Sequence, residues 1–429
     1  MSDILRATNQ QIANTIRSNM SLDYQERIPE LTASNVEDVF NAIVSYQPDF
    51  NAFNSALVNK IGLSYFTRKD KFENPLASLK EGMMPYGTRV EEIYVGLVKA
   101  KTFDPENSAS NVFKRNLGDT RALYHEQNRQ DKYPITISEE ELKGAFYSEY
   151  GLNQLITRKY DALFESDSLD EFTLMKQLIA SLYKNGGFYP VIVDAVTDEA
   201  SAKKLVTQMR SISTRLTFIK DQYNPMKVPT RTLRNNQVVL ISPETEAFLD
   251  VNVLAMAFHM DKAELLGRII VVDDFSGDSE TDMSHVEAMI VDRDVWKVWD
   301  TLFRVADIYN PDGLYWNAFL HHWQIMSYSL FCNAVVFSTA ITATAIVISA
   351  PQTTVVKGGK VKLSATVTGD PSNTVTWSVT APTDPDTYID GVGVLHVGKN
   401  ETVASLTVKA TSAYTSTVTK TQAITVQGN

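Results

Sequence analysis

The sequence predicts an α+β body followed by a small all-β module, and three observations carry that division. Helical stripes with capping residues fill much of the first half of the chain. Residues 313–356 contain no Asp, Glu, Lys or Arg; their first part is aromatic and their second β-branched, the pattern of strands covered on both faces. Beyond Ala345 the texture changes to Thr, Val, Ser and Gly in short runs that alternate with period two.

Composition narrows the function classes. A chain of 429 residues, 44% apolar and 21% charged, is globular and long enough for two or three domains. From Ala345 onward six Lys face five acidic residues, so the net charge of -11 leaves -12 on the part before it. An acidic body argues against gripping nucleic acid and suits a wall that faces it without sticking. Cys332 is the only cysteine, which excludes an intrachain disulfide and, in its apolar setting, predicts a buried reduced thiol. The N-terminus is polar and unlike a signal peptide. Residues 334–350 are too short and too rich in Thr and Ser for a membrane span, which takes about 20 apolar residues. The chain is expected to be used inside a cell or released by lysis.

In chain order, Ser2 and Asp3 are placed to cap a first helix carrying Leu5, Ile12 and Ile16. Ser34 and Glu37 form a capping box ahead of Val36, Val39, Phe40, Ile43 and Val44, and Phe53, Leu57 and Ile61 make a further stripe. From Asn74-Pro75 to Pro134 charges alternate with isolated apolar residues, and glycine and proline punctuate the run. Ile93, Val95 and Leu97 alternate as in a half-exposed strand. Such arms bury no core of their own, and twenty extended residues reach roughly 65 Å. Two readings fit: a surface hairpin packed on its own subunit, or a loop that gains its stability on a neighbour.

Ser138 with Glu141 begins a helix through Leu142, Phe146, Leu152, Leu155 and Ile156, and Ser168 with Glu171 begins a second through Phe172, Met175, Ile179, Leu182 and Tyr183. Asn185-Gly186-Gly187 closes it, making a long structural spine. From Ser201 helices and strands alternate: a helix through Leu205 to Ile212, strands at 237–241, 268–272 and 286–291, a helix after Ser242-Pro243, and a short helix at 261–266. Asn310-Pro311-Asp312-Gly313 turns a strand ending near Ile308 into the uncharged strand. In the tail, residues 360–367, 375–379 around Trp377, 394–397 and 406–410 read as strands of a small β-sandwich.

Site chemistry is sparse. No G-x-S-x-G, H-E-x-x-H or Walker pattern occurs, and no catalytic or metal residue and no cofactor is expected. His321 and His322 point to opposite faces of a strand and read as structural. The acidic loop 273–282 lacks EF-hand spacing and reads as solvated. His125-Glu126 and Glu91-Glu92 read as surface charges or interface salt bridges.

Several segments resemble one family. Asn74-Pro75-Leu76, Lys80-Glu81-Gly82, Pro85-Tyr86-Gly87, Val90-Glu91-Glu92-Ile93-Tyr94 and Tyr124-His125-Glu126-Gln127-Asn128-Arg129-Gln130 resemble the extended loop of the major head proteins of phi29-like short-tailed phages. Asn310 to Asn317, His322-Trp323-Gln324 and Phe331 to Phe337 resemble a later segment of the same proteins, in the same order. The resemblance implies an HK97-like capsid fold over 1–344: an N-terminal arm at 1–74, an extended loop at 75–137, a peripheral domain at 138–188 and 286–344, and an axial domain at 189–285. The tail, 345–429, resembles bacterial Ig-like domains of group 2, through Val356-Lys357-Gly358-Gly359, Trp377-Ser378-Val379, Gly393-Val394-Leu395 and Leu406 to Ala410. The implied function is self-assembly into pentamers and hexamers of an icosahedral or prolate head around double-stranded DNA, with scaffolding and portal proteins as partners. No Lys–Asn cross-link matches, the tail is expected on the exterior with weak affinity for host-surface glycans, and no membrane is involved. The intersubunit contact candidates are Arg89, Glu91, Glu92, Ile93, Val95, Leu97 and Arg129. A secreted adhesin and an enzyme with an appended binding module are the alternatives.

Overall fold

The computed structural model describes residues 8–46, 48–49, 52–53, 56, 72–85, 87–98, 100, 120–146, 151–248, 268–276 and 281–428. Helix α1 (Asn9–Asn19) begins at Thr8, which exchanges hydrogen bonds with Gln11, and it buries Ile12, Ala13 and Ile16. The expected cap at Ser2 and Asp3 lies outside the described residues. Helices α2 (Leu22–Arg27) and α3 (Val36–Ser45) follow. The box expected from Ser34 and Glu37 does not cap α3. Asn35 holds that position, and its amide is turned back onto the preceding loop, accepting from Thr32 N–H and donating to the Glu30 carbonyl. The stripe expected through Leu57 and Ile61, and the helix expected at 261–266, lie outside the described residues.

A 3-10 turn (Pro75–Leu79) leads into β1 (Gly82–Met83), β2 (Val90–Val95), β3 (Thr120–His125) and β4 (Arg129–Ser138). Helix α4 (Glu139–Phe146) starts with the predicted reciprocal box, Ser138 Oγ accepting from Glu141 N–H at 3.2 Å and Glu141 Oε2 from Ser138 N–H at 3.1 Å. Helix α5 (Gly151–Lys184) is the spine, and it is one helix of 34 residues. Ser168 therefore starts nothing. The stripe expected to begin there continues one already running through Leu152, Ile156, Tyr160 and Leu163, all buried. The predicted stop holds: Gly186, at φ +68°, donates to the Tyr183 carbonyl and Gly187 to that of Leu182, the paired bonds of a Schellman end.

Two sheets flank the spine. In the first, β9 (Trp296–Asn310) and β10 (Tyr315–Tyr328) form a long antiparallel hairpin around the predicted turn, β4 pairs on the far side of β10, and β1 lies parallel to β9. The second has the order β5 (Tyr189–Ile192), β11 (Ala334–Ser338), β8 (Val286–Asp292), β6 (Gln237–Ile241), β7 (Ile269–Val271). Its two faces are both covered. Leu240, Met289, Val291 and Val336 pack with Met175, Ile179 and Tyr183 of the spine, while Val239, Ile290, Val335 and Phe337 pack with Leu205 and Met209 of α6 (Glu199–Leu216). A charge on either face would have no partner, which explains why β6 and β11 carry none. Helix α7 (Pro243–Phe248) starts as expected after Ser242, whose hydroxyl accepts Thr245 N–H.

The uncharged stretch is thus divided between sheets: β10 backs the spine and β11 sits inside the second sheet. The expected boundary at 285/286 also falls within that sheet, since β8 and β11 pair with strands from 189–271.

The tail is all-β. The sheets β13 (Thr354–Val356), β20 (Thr419–Gln427), β19 (Ser405–Ser412), β16 (Val375–Thr380) and β14 (Lys360–Lys362), β18 (Val394–His396), β17 (Tyr388–Ile389) share a core of Val355, Val361, Leu363, Leu395, Leu406, Val408 and Ile424. A further pair joins β12 (Ala345–Ser349) and β15 (Ser364–Thr368). The strand expected over 360–367 is broken at Leu363, where the chain leaves β18 to pair with β12. The module rests on the end of the spine. Tyr414 lies 3.0 Å from Ser338 Oγ, Asn373 Nδ2 donates to the Lys184 carbonyl at 3.4 Å, and Thr415 Oγ1 donates to Ile341.

Candidate assembly interface: the extended loop and its feet

Strands β2 and β3 pair antiparallel from Val90 opposite His125 to Val95 opposite Thr120, and alternation gives this hairpin two unlike faces. The inner face is bound to its own chain. Glu92 Oε1 accepts from Ser329 Oγ at 2.8 Å, and His125 Nδ1 lies 2.8 Å from Ser327 Oγ. The Tyr94 ring lies 5.6 Å from that of Phe331 and its hydroxyl donates to the Pro229 carbonyl, while Arg121 donates to the carbonyl of Met226 at 2.7 Å. The outer face is apolar and open: Ile93 is 57% exposed, Val95 66%, and past the strand end Leu97 is 65% and Val98 92% exposed. Tyr124 is exposed beside them and donates to Glu91. Of the two readings left open by the sequence, the first thus describes one face of the hairpin, and the second concerns the other.

The charged candidates separate. Arg89 pairs with Glu126 at 3.0 Å, both well exposed. Glu91 lies on the outer face and Glu92 on the inner one. Arg129 is the correction. Its side chain is 4% exposed and its guanidinium is spent inside its own chain, on Asp131 at 2.6 Å, Asp167 at 2.8 Å, Gln324 at 2.5 Å and the Tyr133 hydroxyl at 2.8 Å. Four of its five N–H donors are thus used inside its own chain.

Around Arg129 lies a cluster that sequence reasoning missed. Lys80 Nζ is 2.7 Å from both Glu171 and Asp300. Glu171 also accepts from Asn74 and Gln324. His322 sits between Asp167, 2.7 Å from Nδ1, and Asp300, 3.1 Å from Nε2. Both ring nitrogens face carboxylate oxygens, which only accept, so the ring is satisfied as the imidazolium. Burial opposes that charge, but the bonds to Asp167 and Asp300 outweigh it and raise the His322 pKa. Burial likewise opposes charge on Asp300 and Glu171. The His322 and Lys80 contacts hold Asp300 well below the usual carboxylate range, and Lys80 lowers Glu171. Three carboxylates, Asp167, Glu171 and Asp300, thus face three cations, Lys80, Arg129 and His322, with a fourth, Asp131, on the exposed side of Arg129.

Among the described residues, Glu171, Asp300 and His322 place ligand atoms within 4.8 Å of one another, a spacing that suits a metal ion. Lys80 already supplies the positive charge at two of the three. His321 lies on the other face of β10, away from this group. Burial pushes the Cys332 thiol up to about 12, which leaves it without thiolate character. Of the acidic loop, Asp273 pairs with Lys176 at 3.2 Å, and residues 277–280 lie outside the described residues.

This buried polar cluster lies where the two ends of the extended loop meet the spine helix. The sequence model of the Phi29-like phage major capsid protein family matches residues 13–338. The chain belongs to that family. It is a major capsid protein, and many copies of it form the virion shell. It is 36% identical over 407 residues to the major capsid protein of Bacillus phage PZA, covering 93% of this chain and 89% of that one. The major capsid protein of Streptococcus phage Cp-1 is 32% identical over 346 residues, covering 76% of this chain and 93% of the relative. In fold, the capsid structure of Staphylococcus phage Andhra superposes with a TM-score of 0.52 at 12% identity, over 64% of this chain and 86% of that one. Among the described residues of the capsid protein no helix is long and apolar enough to cross a membrane.

Proposed function

We propose that this capsid protein closes its shell by laying the outer face of each extended loop on the spine helix of a neighbouring copy. The observation that carries this is the two-sided hairpin: own-chain contacts occupy one face and hold Ile93, Val95 and Tyr124 outward on the other. A cleft of about 320 Å³ along the spine, lined by Asn128, Asp131, Leu174, Gln177, Leu178 and Ser181, offers a seat of matching mixed character. Exposed Arg89, Glu91 and Glu126 at the rim select register, while the apolar ridge supplies contact area. Each contact is small, and a closed lattice repeats it many times.

The same reading assigns the body an HK97-like fold built into pentamers and hexamers of an icosahedral or prolate head. The head encloses double-stranded DNA behind a body of net charge -12, by the count above. Scaffolding and portal proteins are its assembly partners. The tail is an Ig-like module of the group 2 type that decorates the exterior and holds host-surface glycans weakly; its strand arrangement around one core supports this. No catalytic residue or cofactor enters. The test is Ile93→Asp with Val95→Asp, read by negative-stain microscopy of protein co-expressed with its scaffold. Folded subunits without shells are expected; normal shells would rule out the outer face as an intersubunit contact.

A further inference from the structure

We propose that Lys80 and Arg129, at the two feet of the extended loop, are positioning residues: by pairing with one acidic face of the spine helix they set the direction in which the loop projects, and so decide whether a folded subunit is competent to assemble. This rests on the loop reading above.

The geometry is a clamp at both feet. Asp167 and Glu171 lie four residues apart on the spine, hence on one helix face. The loop enters past Lys80, bound to Glu171 and Asp300, and leaves through Arg129, bound to Asp167. His322 and Gln324, two residues apart on β10, tie the two pairs together: His322 bridges Asp167 and Asp300, and Gln324 bridges Arg129, Glu171 and Asp300. The entering foot is fastened further by Glu81 N–H to the Val298 carbonyl and by Asn74 to Glu171, and the leaving foot by Asn128 paired with Met326.

Beyond the entering foot the chain stays pinned to β9, through the pairing of Gly82–Met83 and through Met84 N–H, which donates to the Asp300 carbonyl at 2.8 Å. Gly82 and Gly87 have φ of +126° and +80°, and a Cβ at either would meet nothing within 4 Å. Gly82 is held by its pairing with β9, whereas Gly87 lies past it, where glycine backbone bends easily. Apolar contact is non-directional, whereas a guanidinium fork and an ammonium shared between two carboxylates demand particular angles. A buried ionic cluster is a poor source of net stability and a good source of uniqueness, which is what a loop that must find one neighbour needs.

The experiment compares wild type, Lys80→Met, Lys80→Arg and Ile93→Asp/Val95→Asp as full-length chains. Hydrogen exchange of peptides over 90–95 and 120–125 is measured on subunits kept below assembly concentration, and shells are counted by negative stain. Lys80→Met is expected to keep the far-ultraviolet spectrum of the wild type, to raise exchange in the hairpin at least about tenfold, and to lose shells. Lys80→Arg, which keeps the charge, is expected to restore both. Hairpin exchange within twofold of wild type in Lys80→Met overturns the clamp, whatever the shell count. Normal shells from Ile93→Asp/Val95→Asp overturn the loop reading instead, and the exchange result still judges the clamp. If Lys80→Met does not fold, Glu171→Gln, which leaves Lys80 paired with Asp300, is read by the same exchange and the same limits.

Discussion

Replacing Arg129 and Arg89 separately by Met tests where each charge is used. Both lie on or beside the extended loop and both were expected at subunit contacts, yet their surroundings differ. Arg129 is 4% exposed and satisfies Asp131, Asp167, Gln324 and Tyr133. Methionine retains much of the stem's packing but strands Asp167, 7% exposed, with His322 as its remaining charged partner. Breaking a buried pair from one side costs about 3–5 kcal/mol, because the remaining charge is uncompensated. The orphaned Gln324 side-chain carbonyl acts in the same direction. Arg89 loses only an exposed pair with Glu126, so its replacement leaves subunit stability unchanged and acts on assembly alone. Urea unfolding followed by tryptophan fluorescence reads this well, since Trp296, Trp299, Trp316 and Trp323 all lie on β9 and β10. A large drop in midpoint for Arg129→Met and none for Arg89→Met is expected. An Arg129→Met subunit that unfolds at the wild-type midpoint yet makes no shells would refute the intrachain assignment and return Arg129 to the contacts between copies.

Two further outcomes follow from the same structure. His322 has a raised pKa in the folded chain, so its contribution is fully present below its unfolded value, about 6.5, and is lost as pH rises through the higher folded value. Wild type is therefore expected to lose stability relative to His322→Asn as pH is raised from about 6 to about 9, and parallel urea midpoints across that range would refute the imidazolium assignment. Removing 350–429 is expected to leave shell formation largely intact, because the apolar clusters that core the body contain no residue of the tail; loss of shells in negative stain would make the tail a structural part of the lattice.

Short-range signals were legible wherever one residue's chemistry decided the outcome. The Ser138–Glu141 box, the Gly186 helix end and the 310–313 turn are each closed by bonds within a few residues. The Ser168–Glu171 pair had the same spelling and no such role, because the helix was already under way and Glu171 was needed elsewhere. Alternation in β2 was legible, but not which row faces outward: Ile93 and Val95 are exposed while Tyr94 is bound to its own chain, and Leu97 lies past the strand end. The clamp was not legible. Arg129 reads as a surface charge in a polar run, and its partners lie 38 residues on, at Asp167, and 195 residues on, at Gln324. No local pattern marks such a pair, since each residue is individually common on a protein surface.

By itself the sequence determined the uncharged core stretch, the amphipathic helices, the texture change at Ala345 and the family, because these depend on side-chain chemistry repeated at short, regular intervals. Tertiary structure alone decided that the uncharged stretch is shared among four sheets, two of the body and two of the tail, that one face of the hairpin is bound and the other open, and that Lys80, Arg129 and His322 meet Asp167, Glu171 and Asp300. Those outcomes depend on which distant segments are brought within hydrogen-bonding distance, and burial then makes such charges hold one another far more firmly than water would allow.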